Sequence, residues 1–172
     1  MNLGEILIVI NTLAVKRAGL RGGLSSTAGK RVEKPLMQTL CKLYDVPESN
    51  YAVKIKGKII EENDFEREVD FYLVEGKNQY KCEVKLMGRG NPESADDVIA
   101  RDSKVFVADK LSDTNKKQLN RLKVEWVEMR SDGGFRRFET VLDHLKIPHC
   151  KLKEKFDQKL EEIFNEIFTV QK

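Results

Sequence analysis

Apolar residues first recur at helical spacing. Ile6, Val9, Ile10 and Leu13 predict a helix from Leu3 to Val15. The run Gly19-Leu20-Arg21-Gly22-Gly23-Leu24 is a breaker that ends it. Ser25-Ser26-Thr27 then offer N-cap groups for a second helix over about Ala28 to Tyr44, whose apolar face is Val32, Leu36, Met37, Leu40 and Leu43. Pro35 lies inside this stretch, where proline either kinks the helix or marks where its regular part begins.

The period then changes to two. From Tyr51 to Ile60, Val53 and Ile55 alternate with Lys54 and Lys56, which reads as a strand. Glu68 to Val74 is a second strand, with Val69, Phe71 and Leu73 on one face and Glu68, Asp70 and Tyr72 on the other. Gln79 to Met87 is a third, with Tyr80, Cys82, Val84 and Leu86 opposed to Lys81, Glu83 and Lys85. Asn91-Pro92 opens a helix to about Arg101. Val105 to Ala108 is a short buried strand, Asp113 caps a helix reaching Leu122, and Val124 to Met129 is a last strand. Helices follow at about Phe135–Leu145 and Lys151–Phe168, separated by Pro148. Two strand–helix–strand crossovers imply an α/β fold with a mixed sheet flanked by helices.

Length and composition narrow the class. A chain of 172 residues with 40% hydrophobic residues fits one domain with a real core. The longest apolar run, Ile6 to Ile10, is far short of the ~20 residues that span a bilayer. It lacks a basic flank and a cleavage site, so neither a membrane span nor a signal peptide is expected. Three widely spaced cysteines, Cys41, Cys82 and Cys150, argue for a reducing compartment, the cytoplasm, and against a disulfide scaffold. His144, His149 and Cys150 lack a second closely spaced ligand pair, so a zinc corner is disfavoured against surface His and free Cys.

The hairpin between the second and third strands holds the candidate chemistry. A two-residue loop at Gly76-Lys77, with glycine first as a type II′ turn prefers, sets residues whose numbers sum to 153 opposite one another. Asp70 then faces Glu83, with side-chain bases ~4.5–5.5 Å apart, where like charges repel. A divalent cation between the carboxylates offsets that repulsion, since hard cations prefer oxygen ligands. Lys85 projects from the same face and suits an anionic substrate or transition state. The bland alternative is an exposed sheet face of alternating charge. It is weakened by the apolar opposite faces and by the helices expected to cover the sheet.

Asp70, a hairpin, then Glu83-Val84-Lys85 resembles the PD-(D/E)XK nuclease core, whose common order is helix, three strands, helix, strand. The resemblance covers about Ala28 to Met129, with Val69 where the family has Pro. An acid from the preceding helix often belongs to such sites, and Glu33 is the matching position. The alternative for Glu33 is an ordinary helix-surface pair with Lys30 or Lys34. The stretch from Cys82 to Asp96, together with Phe106–Ser112 and Val124–Glu128, is similar to the catalytic part of type II restriction endonucleases of the CfrBI kind. The resemblance implies sequence-specific cleavage of double-stranded DNA with Mg²⁺, for which Mn²⁺ can substitute, by a homodimer. Asp70 and Glu83 would hold the metal, and Lys85 and Glu33 would complete the catalytic set. Such enzymes are expected to be longer, so the chain reads as a fragment or a compact member.

Charge distribution bears on DNA independently. The formal net charge is only +3, yet between Ala14 and Lys42 there are seven basic residues and one acid. Arg21, Lys30, Arg31 and Lys34 lie in this stretch, beside a glycine/serine loop opening a helix that can hold phosphate. A solvated basic helix face is the alternative. After Lys85, Arg89 and Asn91 are residue types that read guanine and adenine edges, although a phosphate contact and a plain N-cap also account for them. Arg101 and Lys104 are placed on the same side. The loop Arg130–Arg137 is either a backbone contact or a solvated turn. Trp126 is expected to pack in the last strand rather than stack on a base.

The stripe Leu152, Phe156, Leu160, Ile163, Phe164, Ile167 and Phe168 reads as core packing, with a dimer interface as the sharper alternative. The expected organisation is a single nuclease domain: residues 1–27 a helix and basic loop, 28–129 the catalytic core, 130–172 the C-terminal helices. Two other functions remain open. One is a structure-selective nuclease like a Holliday-junction resolvase, against which the glycine/asparagine insert after Lys85 argues mildly. The other is a non-catalytic DNA-binding module, which would gain from losing two acids near phosphate.

Overall fold

The computed structural model describes residues 25–53, 71–86, 102–153 and 155–169, with side chains between 33 and 167 of these. The first helix, α1, spans Ser25–Leu43, beginning three residues before the expected start, so the hydroxyl run lies in its first turn. It continues on both sides of Pro35, so the proline marks no start, and Thr39 Oγ1 donates to the Pro35 carbonyl at 2.9 Å. Leu36, Met37, Leu40, Cys41, Leu43 and Tyr44 are buried along one side. The helix ends without glycine. Asp45 takes a left-handed φ of 51°, and the Val46 amide returns to the Cys41 carbonyl at 2.9 Å. This closure is a Schellman motif, and its apolar C″ residue, Val46, is buried.

Among the described residues five strands follow in the order β1-β2-β3-β4-β5: β1 Tyr51–Ala52, β2 Phe71–Glu75, β3 Asn78–Lys85, β4 Val105–Ala108 and β5 Glu125–Glu128. The β1–β2 and β2–β3 pairs are antiparallel, and β3–β4 and β4–β5 are parallel. The expected mixed sheet is therefore present. Of the strand expected over Tyr51 to Ile60, residues beyond Val53 lie outside the described residues, as do the helices expected over Leu3–Val15 and Asn91–Arg101. A helix α2, Asp113–Arg121, links β4 to β5. Its cap is Ser112, not Asp113: the Ser112 hydroxyl accepts from the Asn115 amide, leaving Asp113 in the first turn, where its charge suits the helix dipole. A 3₁₀ turn at Gly134–Arg136 leads into α3, Arg137–His144. The last helix, α4, is Asp157–Thr169, starting six residues later than the apolar stripe alone suggests.

The sheet has two covered faces. On one, Cys82, Val84, Val105, Val107 and Val127 pack with Leu36, Met37 and Leu40 of α1, Phe138, Val141 and Leu142 of α3, and Leu160 and Ile163 of α4. Of the C-terminal stripe, Leu160 and Ile163 are buried in this core and Leu152, Phe156 and Ile167 pack against it, and Lys42 of α1 pairs with Glu166 of α4 at 2.9 Å. On the other face, Phe106 and Ala108 pack with Leu111, with Leu119 of α2, with Val124 and with half-buried Trp126. Trp126 packs as expected: its Nε1 donates to Asn120 Oδ1 at 2.9 Å and the Arg137 guanidinium lies 4.0 Å from its ring centre. No helix among the described residues is long and apolar enough to cross a membrane.

Candidate active site

The hairpin follows the predicted register. Glu75 pairs with Asn78 and Phe71 with Cys82, so the numbers of facing residues sum to 153 throughout. Gly76 takes a φ of 56° and Lys77 does not share it, which is the pattern of a type II′ turn. Phe71 and Leu73 are fully buried and Tyr72 half-buried, so β2 keeps the expected alternation. Asp70 precedes the first described residue of β2 and lies outside the described residues.

On β3, Glu83 and Lys85 share the face opposite Cys82 and Val84. In the parallel pairing Glu83 stands beside Phe106 and Lys85 beside Ala108, so both belong to the Phe106 face. Glu83 is 1% exposed and Lys85 is half-buried. The bland reading of an exposed, alternately charged face therefore fails at Glu83. A carboxylate taken from water is costly unless it gains partners.

The carboxyl ends of the parallel strands are tied together by acids not singled out in the sequence. Asp109, just after β4, accepts Arg130 Nε at 3.0 Å and Nη2 at 2.5 Å. That bond holds the Arg130 guanidinium more firmly in its charged form. Glu128, at the end of β5 and 8% exposed, accepts the Leu111 amide at 2.9 Å and pairs with Lys116 at 2.8 Å. Together they fix the 109–112 loop to the end of β5. The partners are 21, 17 and 12 residues apart, so no local pattern pointed to them.

The other predicted residues are scattered. Glu33 and Lys34 are half-buried on α1, the helix that covers the Cys82 face rather than the Glu83 face. Lys30 and Arg31 lie in the first half of α1. Lys104 is exposed and pairs with Asp102 at 3.3 Å. Its amide donates to the Lys81 carbonyl, so it stands beside the middle of β3, about 13 Å along the strand from Lys85. Arg21, Arg89, Asn91 and Arg101 lie outside the described residues. His144 contacts Glu125 at 2.8 Å, His149 contacts the Ile147 carbonyl at 2.8 Å, and Cys150 is exposed. Among the described residues no group of three or more His, Cys, Asp or Glu side chains gathers as a metal cage. The oxygen donor they contribute on the Lys85 face of β3 is Glu83.

A family model for the CfrBI restriction endonuclease matches residues 1–116, about two thirds of the chain. No curated protein and no solved structure matches it.

Proposed function

The chain belongs to the CfrBI restriction endonuclease family, and from that premise we propose that it is a type II DNA endonuclease, cleaving duplex DNA at a specific sequence with Mg²⁺. The observation that carries the reading is the register of the β2–β3 hairpin. Continued by one residue beyond Phe71 and Cys82, that register would set Asp70 opposite the buried Glu83, whose face Lys85 shares.

The donor chemistry fits a divalent cation. Glu83 is a buried carboxylate, a hard oxygen ligand, and Asp70 would be the second. When bound, the ion supplies Lewis-acid polarisation of the phosphate and offsets developing charge. Lys85 would hold a non-bridging phosphate oxygen and orient the attacking water, a role for a half-buried ammonium beside carboxylates. Glu33 of α1 is proposed as a further acid of the site. Arg21, Lys30, Arg31, Lys34, Arg89, Asn91, Arg101 and Lys104 are proposed DNA contacts, Arg89 and Asn91 for base edges and the others for phosphate. Two copies acting together would cut both strands.

Incubation with plasmid DNA and Mg²⁺, followed by sequencing of the ends, tests this reading. Discrete fragments sharing one end sequence support it. Cutting confined to cruciforms or junctions replaces it with a structure-selective nuclease. Binding without any cutting contradicts the enzyme.

A further inference from the structure

Backbone hydrogen bonds run in a row across the carboxyl edge of the parallel strands. The Asp109 amide donates to the Lys85 carbonyl at 2.8 Å, and the Arg130 amide donates to the Asp109 carbonyl at 2.9 Å. Arg130 thus stands two strands from Lys85, on the order of 10 Å across the sheet. In open sheets with parallel strands this edge is where ligands are bound.

The two members of the Asp109–Arg130 pair are placed unequally. Asp109 is 6% exposed, whereas the Arg130 side chain is 46% exposed. The buried acid occupies one edge of the guanidinium, through Nε and Nη2, and leaves Nη1 without a partner among the described residues. Lys110, next to Asp109, is exposed and has no ion-pair partner among the described residues. Glu128, the other acid at this edge, is buried and engaged by the Leu111 amide and Lys116. Asp113 and Asp132 are exposed, and neither pairs with Arg130 or Lys110. The carboxylates at the strand ends therefore point inward, while the cations reach solvent. A planar fork held along one edge by a carboxylate suits a phosphate at its other side.

We propose that Arg130 and Lys110 each bind a backbone phosphate of duplex DNA on the far side of β4 from Lys85, with Asp109 as the positioning residue for the Arg130 guanidinium. The inference rests on the nuclease reading and deepens it, since it fixes the edge over which the duplex lies. It also adds a basic surface remote in sequence from the cationic stretch between Ala14 and Lys42.

The test is the salt dependence of binding to a duplex DNA fragment, measured in EDTA so that nothing is cut. Each phosphate contact adds about 0.9 to the slope of log K against log salt. Arg130→Gln is expected to lower the slope by about 1, and Lys110→Gln with Arg130→Gln by about 2. Lys151→Gln with Lys153→Gln removes the same charge from exposed positions after Pro148 and should leave the slope unchanged. Asp109→Asn keeps the Arg130 cation but loosens the fork, and should weaken binding several-fold without lowering the slope. A wild-type slope in the Lys110/Arg130 double variant, with only its melting temperature lowered, would show a purely structural clamp and overturn the proposal. An equal drop in the Lys151/Lys153 control would reduce the effect to net charge and overturn it as well. If the wild-type protein itself shows no salt-dependent binding, the nuclease reading falls together with the proposal.

Discussion

Phe71 stands directly opposite Cys82 across β2 and β3, both fully buried on the face covered by α1. That pairing is fixed by the two-residue turn five positions away, and with it every facing pair in the hairpin. The turn depends on Gly76, whose φ of 56° side chains rarely adopt. A Cβ there would meet nothing within 4 Å, so strain is its only cost. Gly76→Ala is expected to lower stability by about 1 kcal/mol, and Gly76→Asn by less, in urea unfolding. The reverse holds where a helix ends on a left-handed lysine. Lys146 has a φ of 58° with the Ile147 amide bonded back to Leu142, and Lys146→Gly should gain up to about 1 kcal/mol.

Glu128 links the end of β5 to the 109–112 loop through the Leu111 amide and Lys116. Glu128→Ala strands a buried amide and a half-buried ammonium, and should cost about 2–3 kcal/mol. Lys116→Met leaves the Leu111 bond in place and should cost less. Gly134 packs against the same strand end: a Cβ there would overlap the Glu128 carbonyl and Ser131 Oγ. Gly134→Ala should therefore destabilise at least as much as Glu128→Ala, by thermal or chemical unfolding.

Two buried acids of high pKa give stability an alkaline limit. Burial pushes the Tyr44 phenol up to about 12, and pushes the Cys41 thiol well above its ordinary value, with Cys82 adding to the effect. Both groups hold their protons longer when folded, so the native state binds more protons than the unfolded chain at high pH. Stability is then fully present below the unfolded pKa values and falls above them. For Tyr44 the loss should run from about pH 10 to about pH 12. Denaturant midpoints measured across that range check it, and Tyr44→Phe should flatten the fall above pH 10. The same burial predicts that Cys150 reacts with a thiol reagent in the native protein while Cys41 and Cys82 react only on unfolding.

The parts of the fold that local pattern determines were legible in the sequence. A glycine turn between two alternating runs fixed the hairpin register, and four consecutive apolar residues marked β4 to the residue. What escaped was set by contacts between distant residues. The helix ends at Asp45, Lys123 and Lys146 carry no glycine, and buried Val46, Val124 and Ile147 close them instead. Alternation placed Glu83 and Lys85 on one face, but the near-complete burial of Glu83 comes from a packed second face that includes β4 and α2. The Asp109–Arg130 and Glu128–Lys116 pairs bridge separate elements, so their residues look like ordinary surface charges in the chain.

Glu83 and Lys85 are proposed to belong to a Mg²⁺-dependent cleavage site completed by Asp70. The most direct measurement is the rate of duplex DNA cleavage in Mg²⁺ by the wild-type protein and by Asp70→Ala, Glu83→Gln and Lys85→Ala, each checked for a native circular dichroism spectrum. Cleavage by the wild type, lost by at least about 100-fold in all three folded variants and abolished by EDTA, is the predicted result. A folded Asp70→Ala or Lys85→Ala variant that cuts at the wild-type rate would contradict it.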